Sequence, residues 1–208
     1  MRRLTSIVQR ALGWSASQNA QAPASVHPDF PDLEPRQLTM AIAGSAARRC
    51  ELPEVPAGYQ LRTFSQGDEA TWVELLTLEF NNWSRERFDA YLCAPERREG
   101  SRVIEYEGRI VAATCASRAT TQPLTGTVDY VVSHPAHRGH KLGLIACGAV
   151  ARYLGENGYD SISLLTDDWR LAAIKVYLNL GFAPVINRID MPARWETIRQ
   201  QMETHAST

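Results

Sequence analysis

The chain has 208 residues, 44% of them hydrophobic and 22% charged, and its 22 Lys/Arg against 23 Asp/Glu leave a net charge of −1 at pH 7. That is enough chain for one domain with a real core, and the charge balance argues against nucleic acid or an anionic membrane as a partner, so any anion binding must be local. No apolar run approaches the roughly 18–20 residues that span a bilayer. Cys50, Cys93, Cys115 and Cys147 are scattered without a C-x-x-C pair, the pattern of free buried thiols in a reducing, cytoplasmic compartment.

Residues Met1 to Pro28 carry Arg2, Arg3 and Arg10 but no acidic side chain, and Leu4, Ile7, Val8, Ala11 and Leu12 repeat at helical spacing. A basic amphipathic start of this kind suits a mobile tail, an organelle transit segment or a membrane-surface helix, and it lacks the compact apolar region of a secretory signal. Pro23, Pro28, Pro31 and Pro35 punctuate an extended linker. Gln37–Ala43 fits a short strand or a helical turn, and after Pro53, Pro56 and Gly58 the sequence becomes regular. The expected organisation is a tail and linker over 1–51, a folded domain over 52–190 and a polar C-terminal helix or tail over 191–208.

Tyr59–Phe64 alternates as a strand does. Ser65 to Asp68 reads as a helix start, with Trp72, Leu75, Leu76 and Phe80 facing inward, and Asn81-Asn82 as its end. Ser84 and Glu86 open a second short helix through Phe88, Tyr91 and Leu92. Arg102–Tyr106 and Arg109–Ser117 flank Glu107-Gly108 as a hairpin, and Thr125–Val132 adds a strand. A helix is expected over Leu142–Glu156, ended by Asn157-Gly158, then a buried strand at Ser161–Leu165 and a helix at Leu171–Leu180 closed by Gly181. A strand at Phe182–Ile189 and a polar helix at Trp195–Glu203 complete the order. The fold class is α/β: a mixed, mostly antiparallel central sheet flanked by helices.

Two segments carry chemistry. In the first, the strand ending near Ser133 meets Pro135, passes through Arg138-Gly139-His140-Lys141-Leu142-Gly143 and enters a helix. The free N–H groups and dipole at a helix start form an anion site, and Arg138 and Lys141 add charge. Gly139 can take positive φ, and Gly143 lets backbone come close to a ligand. A phosphorylated cofactor is the ligand this cradle suits. In the second segment, Thr166–Phe182, Ala173 and Tyr177 share a helical face, leaving room for a slender ligand beside a phenol that can act as a general acid. His134, His137 and His140 recur at intervals of three, but a loop beginning with Pro135 does not bring their rings to one face, and no Cys or carboxylate lies nearby in the sequence; no metal is expected.

Together the two segments resemble the GCN5-related N-acetyltransferase (GNAT) superfamily. Arg138, Gly139 and Gly143 match its pyrophosphate loop, Gln/Arg-x-x-Gly-x-Gly/Ala, and Ala173, Tyr177, Gly181 and Phe182 match its later Asn-x-x-Ala-x-x-x-Tyr-x-x-x-Gly-Phe signature. The chain departs at two places, with Lys141 for the middle glycine and Arg170 for the asparagine. The resemblance, covering about Leu52 to Arg188, implies an acetyl-CoA-dependent N-acetyltransferase in which an amine attacks the thioester directly. It implies pantetheine pairing with backbone at Val131 and Ser133, diphosphate on Arg138, Gly139, His140, Lys141, Leu142 and Gly143, and Tyr177 as the acid for the leaving thiolate. Arg170 either reaches the cofactor or is solvated. A base is needed to deprotonate the amine; Asp129 is the first candidate, two residues from Val131 on what strict alternation makes the same face, and Glu79 the second. The acceptor is a small-molecule or protein amine, and a homodimer stays open. The alternative is a catalytically silent acyl-CoA-binding sensor or interaction domain.

Overall fold

A computed structural model describes residues 37–80, 83–92, 95–119, 122 and 124–206. The basic amphipathic start, the proline-punctuated linker, the Asn81-Asn82 break and Cys93 lie outside the described residues. The chain divides into two compact units, residues 41–164 and residues 1–40 with 165–208.

In the larger unit, β2 (Tyr59–Arg62), β3 (Arg102–Tyr106), β4 (Arg109–Arg118) and β5 (Thr125–Ser133) pair antiparallel, while β6 (Ser161–Thr166) pairs parallel to β5. The strand order is β2-β3-β4-β5-β6, with β1 (Leu38–Ala43) beyond β6. Glu107 and Gly108 both take positive φ, 49° and 76°, as a two-residue hairpin turn matching the twist of its strands requires. One face of this mixed sheet packs Val103, Ala113, Cys115 and Val132 against Trp72, Leu75, Leu76 and Phe88 of α2 (Glu69–Thr77) and α3 (Arg85–Leu92). The other packs Ile104, Val111 and Ala112 against Leu142, Ile145 and Ala146 of α5 (Leu142–Glu156). Between α3 and β3 stands an element the sequence reading did not expect, α4 (Pro95–Gly100). Its Arg97 and Arg98 donate to the carbonyls of Tyr91 and Leu92, closing the C-terminus of α3.

Regular structure begins before the expected boundary near Leu52. In β1, Leu38, Met40 and Ile42 are buried on alternate positions, which makes Gln37–Ala43 a strand rather than a turn. The next element, α1 (Gly44–Ala47), lies so close to the end of α5 that a Cβ on Gly44 would sit 1.9 Å from the Tyr159 carbonyl oxygen. The start of α2 also differs: Asp68, not Ser65, occupies the cap position, and the Asp68 carboxylate accepts the Ser65 N–H at 2.7 Å.

The smaller unit holds the first half of β1, which neighbours β7 (Ala183–Pro184), together with α6 (Leu171–Asn179) and α7 (Met191–Ala206). The strand expected over Phe182–Ile189 is only two residues long. Pro184 has no N–H to donate, and after Val185 donates to Thr39 the chain turns into the Arg188–Asp190 ion pair. The final helix starts at Met191, four residues earlier than expected, and buries Met191, Trp195 and Ile198. Its Arg194 grips Asp168 through two hydrogen bonds and Asp190 through a third.

Candidate functional site

The loop after β5 is built by local hydrogen bonds. The His134 N–H donates to Val111, its imidazole accepts the Ala136 N–H at 3.2 Å, and Pro135–His137 makes one tight turn. Arg138 is extended, Gly139 takes φ 87°, and Lys141 takes φ 60° and ψ 20° at the cap of α5. The first bond of the helix runs from Ile145 N–H to Lys141 carbonyl at 3.1 Å. The N–H groups of Leu142, Gly143 and Leu144 therefore precede the intrahelical ladder, and the first turn holds no acidic side chain. Arg138, His140 and Lys141 are exposed around them. Helix dipole and free N–H groups together favour an anion at this point. The left-handed backbone at Lys141 explains why the resembling family keeps glycine there. A Cβ on Gly143 would sit 3.3 Å from Ser133 Oγ and 4.0 Å from Val131 Cγ1, so the helix start abuts the two β5 residues expected to hold the pantetheine arm.

Two contacts fix the loop from outside. Tyr59 hydroxyl and His137 Nδ1 are 2.9 Å apart, with the Tyr106 ring 4.8 Å from that of Tyr59. Burial, then the neighbouring His134 and His140, lower the His137 pKa and so disfavour its charged form. Arg138 meets Glu79, the second base candidate, in a 3.5 Å ion pair.

The strand β5 is not regular. Ala113 faces Val132, but two residues along β4 Cys115 faces Asp129, three residues back on β5. Tyr130 absorbs the extra residue with φ 52°, a β-bulge on a side chain that ordinarily avoids this conformation. The Tyr130 ring enters an edge-to-face cluster with Trp83 at 4.9 Å, Tyr91 at 5.1 Å and Phe80 at 5.3 Å. The bulge cancels the alternation that placed Asp129 with Val131: Val131 and Ser133 turn toward Gly143, whereas Asp129 turns toward α3. Asp129 Oδ2 accepts the Tyr91 hydroxyl at 2.5 Å and the Ser117 hydroxyl at 2.5 Å, and its carbonyl accepts Thr114 Oγ1 at 2.7 Å. Burial pushes the Tyr91 phenol far above its ordinary range, with Cys115 and Asp129 adding to it, so Tyr91 stays a proton donor. Among the described residues, β5 and β6 pair only from Thr125/Ser161 to Thr127/Ser163. Beyond that point the two strands stop sharing hydrogen bonds, leaving the β5 edge at 128–133 available to an extended ligand.

Asp129, Val131, Ser133 and Arg138–Gly143 belong to the larger unit; Arg170 and Tyr177 belong to the smaller. Tyr177 is 6% exposed on α6, its ring centroid 6.3 Å from that of Phe182, and its carbonyl accepts the N–H groups of Leu180 and Phe182 around Gly181 at φ 92°. Arg170 donates to Asp167 at 3.0 Å and lies 4.4 Å from the centroid of the Trp169 ring, so it is not a bare solvated charge. Sequence reasoning missed Tyr91 and Ser117, whose link to Asp129 spans 38 and 12 positions of chain. Among the described residues, no group of three or more His, Cys, Asp or Glu is placed to hold a metal ion, and no helix is long and apolar enough to cross a membrane.

The profile of the acetyltransferase (GNAT) family matches residues 69–182, and the chain belongs to this family. Two mycothiol acetyltransferases are similar to it. That of Saccharomonospora viridis is 27% identical over 72% of this chain and 54% of its own length, and that of Thermobispora bispora is 30% identical over 62% and 48%. The chain thus spans about half the length of the curated relatives it matches. Among solved structures, a GCN5-related N-acetyltransferase from Kribbella flavida superposes with a TM-score of 0.54 at 20% identity, covering 72% of this chain and 55% of that one. A diaminobutyrate acetyltransferase from Paenibacillus lautus, solved with L-2,4-diaminobutyric acid and coenzyme A, gives 0.51 at 20% identity over 58% and 72%. Identities this low establish the shared fold.

Proposed function

We propose that this chain is an N-acetyltransferase that moves the acetyl group of acetyl-CoA directly onto a primary amine. The observation that carries this reading is the start of α5, where Gly139, Lys141 and the N–H groups of Leu142–Leu144 form an anion cradle beside Val131 and Ser133. In this reading the diphosphate rests on Arg138–Gly143, and the pantetheine amides pair with the open β5 edge. Arg170 supplies a further cationic contact to the donor. Asp129 takes the proton of the alkylammonium, and the freed lone pair attacks the carbonyl carbon. The C–S bond then breaks as Tyr177 gives its proton to the departing thiolate, and the second proton of the now acylated nitrogen is lost through solvent, which returns the tyrosinate to the phenol. The acceptor we favour is a small-molecule amine, in accord with two curated relatives that are named for mycothiol. The buried thiols of Cys115 and Cys147 suit a cytoplasmic location.

The test is release of free CoA thiol when the protein, acetyl-CoA and a panel of small amines, amino acids and peptides are mixed across pH 6 to 10 (roughly the range over which amines lose their proton). Amine-dependent release is expected for at least one small amine, and Tyr177→Phe should cut turnover by about 10²-fold or more while leaving acetyl-CoA affinity nearly unchanged. Tight acetyl-CoA binding with no amine-dependent thiol release would instead support the silent sensor.

A further inference from the structure

Asp129 presents an asymmetry that a purely structural carboxylate does not need. Both hydroxyl donors, Tyr91 and Ser117, converge on Oδ2, each at 2.5 Å, while among the described residues Oδ1 receives none. Each carboxylate oxygen carries two lone pairs, so two donors occupy Oδ2 and both acceptor sites of Oδ1 are left over. Here every degree of freedom of the group is held. Its main chain is pinned by Thr114 Oγ1 at 2.7 Å, and the left-handed Tyr130 follows at once. Ser117 is 5% exposed on β4. Tyr91 is held on its ring face by the Arg97 guanidinium, 3.6 Å from the centroid, and that same side chain donates to the Tyr91 carbonyl. Trp83 and Tyr130 meet the Tyr91 ring edge-on.

We propose that Tyr91 and Ser117 are positioning residues of the transfer reaction, which lock Oδ2 of Asp129 so that Oδ1 alone receives the proton of the incoming ammonium. The inference rests on the reading of Asp129 as the base. In the step itself the ammonium N–H bond breaks, the Oδ1–H bond forms, and the nitrogen lone pair is released toward the thioester carbon; Asp129 later returns the proton to water. Neither hydroxyl is consumed. Both act by fixing the orientation of the carboxylate, and a misplaced base costs rate steeply. Arg97, Cys115, Tyr91 and Tyr130 are the ionisable groups gathered about this carboxylate.

The experiment compares the full chain with Tyr91→Phe, Ser117→Ala, Ser117→Thr and Asp129→Asn, reading kcat, KM for the amine, and acetyl-CoA affinity by calorimetry. Tyr91→Phe and Ser117→Ala should each lower kcat by about tenfold, the loss of one hydrogen bond to a charged group, with acetyl-CoA affinity within about twofold of the parent. Ser117→Thr, which keeps the hydroxyl, should restore most of the rate. If both deletions leave kcat in place while Asp129→Asn abolishes turnover, the positioning role fails and the base stands. If Asp129→Asn retains turnover, the base itself is wrong. Should Tyr91→Phe not fold, Ser117→Ala decides, since it removes one small hydroxyl from the same oxygen.

Discussion

Lys141 and Gly139 solve the same geometric problem with different chemistry. Both have positive φ, 60° and 87°, so the loop must reverse hand twice before α5 can begin. At Gly139 a Cβ would meet nothing within 4 Å; the demand there is purely conformational. Affinity for acetyl-CoA should therefore fall in the order glycine, asparagine, valine at this position, because asparagine tolerates the left-handed region and a β-branched side chain does not. Equal affinity of the glycine and valine forms in a calorimetric titration would remove the loop from the cofactor site. At Lys141 the left-handed side chain costs about 1–2 kcal/mol. Lys141→Gly is expected to raise Tm by a few degrees and at the same time weaken acetyl-CoA binding and flatten its dependence on salt. A Tm that stays put would mean the surroundings have already absorbed the strain.

At the scale of elements, the start of α2 is clamped to the sheet by one arginine. Arg62 of β2 donates to both oxygens of Asp68 at 2.6 and 2.8 Å and to Glu105 of β3 at 2.7 Å, while Asp68 also receives the Ser65 N–H. Burial by itself would raise the Asp68 carboxyl, but the Arg62 hydrogen bonds and the Ser65 N–H outweigh it and hold the group below the ordinary carboxylate value. A depressed value in the folded state means stability that is fully present above the unfolded value of about 3.9 and is lost as pH falls through the folded value. Asp68→Asn should cost about 1–3 kcal/mol at pH 7, and its difference from the parent should shrink at acid pH, below the folded value, where the parent's carboxylate is protonated and has lost its charge. Urea titrations at the two pH values measure this; an equal difference at both would show that Asp68 acts through its shape. The β5 bulge belongs to the same scale. One inserted residue moves Tyr130 among the rings of Phe80, Trp83 and Tyr91 and leaves Val131 and Ser133 facing α5.

For the molecule as a whole, the proposed donor site makes a thermodynamic demand. A ligand that binds only the folded chain stabilises it by mass action, about 2.7 kcal/mol at a hundredfold excess over Kd, which for a chain of this size is roughly 5–10 °C in Tm. Thermal scans with and without acetyl-CoA should show that rise, Gly139→Val should lose it, and a chelator should leave both the rise and turnover unchanged. A Tm that does not respond to acetyl-CoA would argue against donor binding at any site. Residues 128–143 lie in the larger unit, and Arg170 and Tyr177 lie in the smaller. The family match over residues 69–182 crosses from one into the other.

What could be read from the sequence was set by relations between neighbours along the chain. The Glu107-Gly108 turn, the helix Leu142–Glu156 and the Gly181 stop follow from which residues tolerate positive φ and from helical or strand periodicity. The anion cradle follows from a glycine-containing basic loop opening into a helix, and the family from that loop and the Ala173–Tyr177–Gly181-Phe182 spacing together. Elsewhere the deciding partner lies far off in the chain. Asp129 was chosen as base from strand alternation, yet the pairing of β5 with β4 inserts Tyr130 and turns Asp129 to the other face, where Tyr91 and Ser117 wait. Gln37–Ala43 had no local signal strong enough to separate strand from turn; its place beyond β6 makes it a strand. The last strand was expected eight residues long, and Pro184 with the Arg188–Asp190 ion pair leaves it two. Local periodicity determines which elements form and which loop can hold an anion, because those depend on torsions and hydrogen bonds within a few residues. Which carboxylate is held in place, on which face and by which of its oxygens is decided only when strands register and helices pack, because that geometry has no local cause.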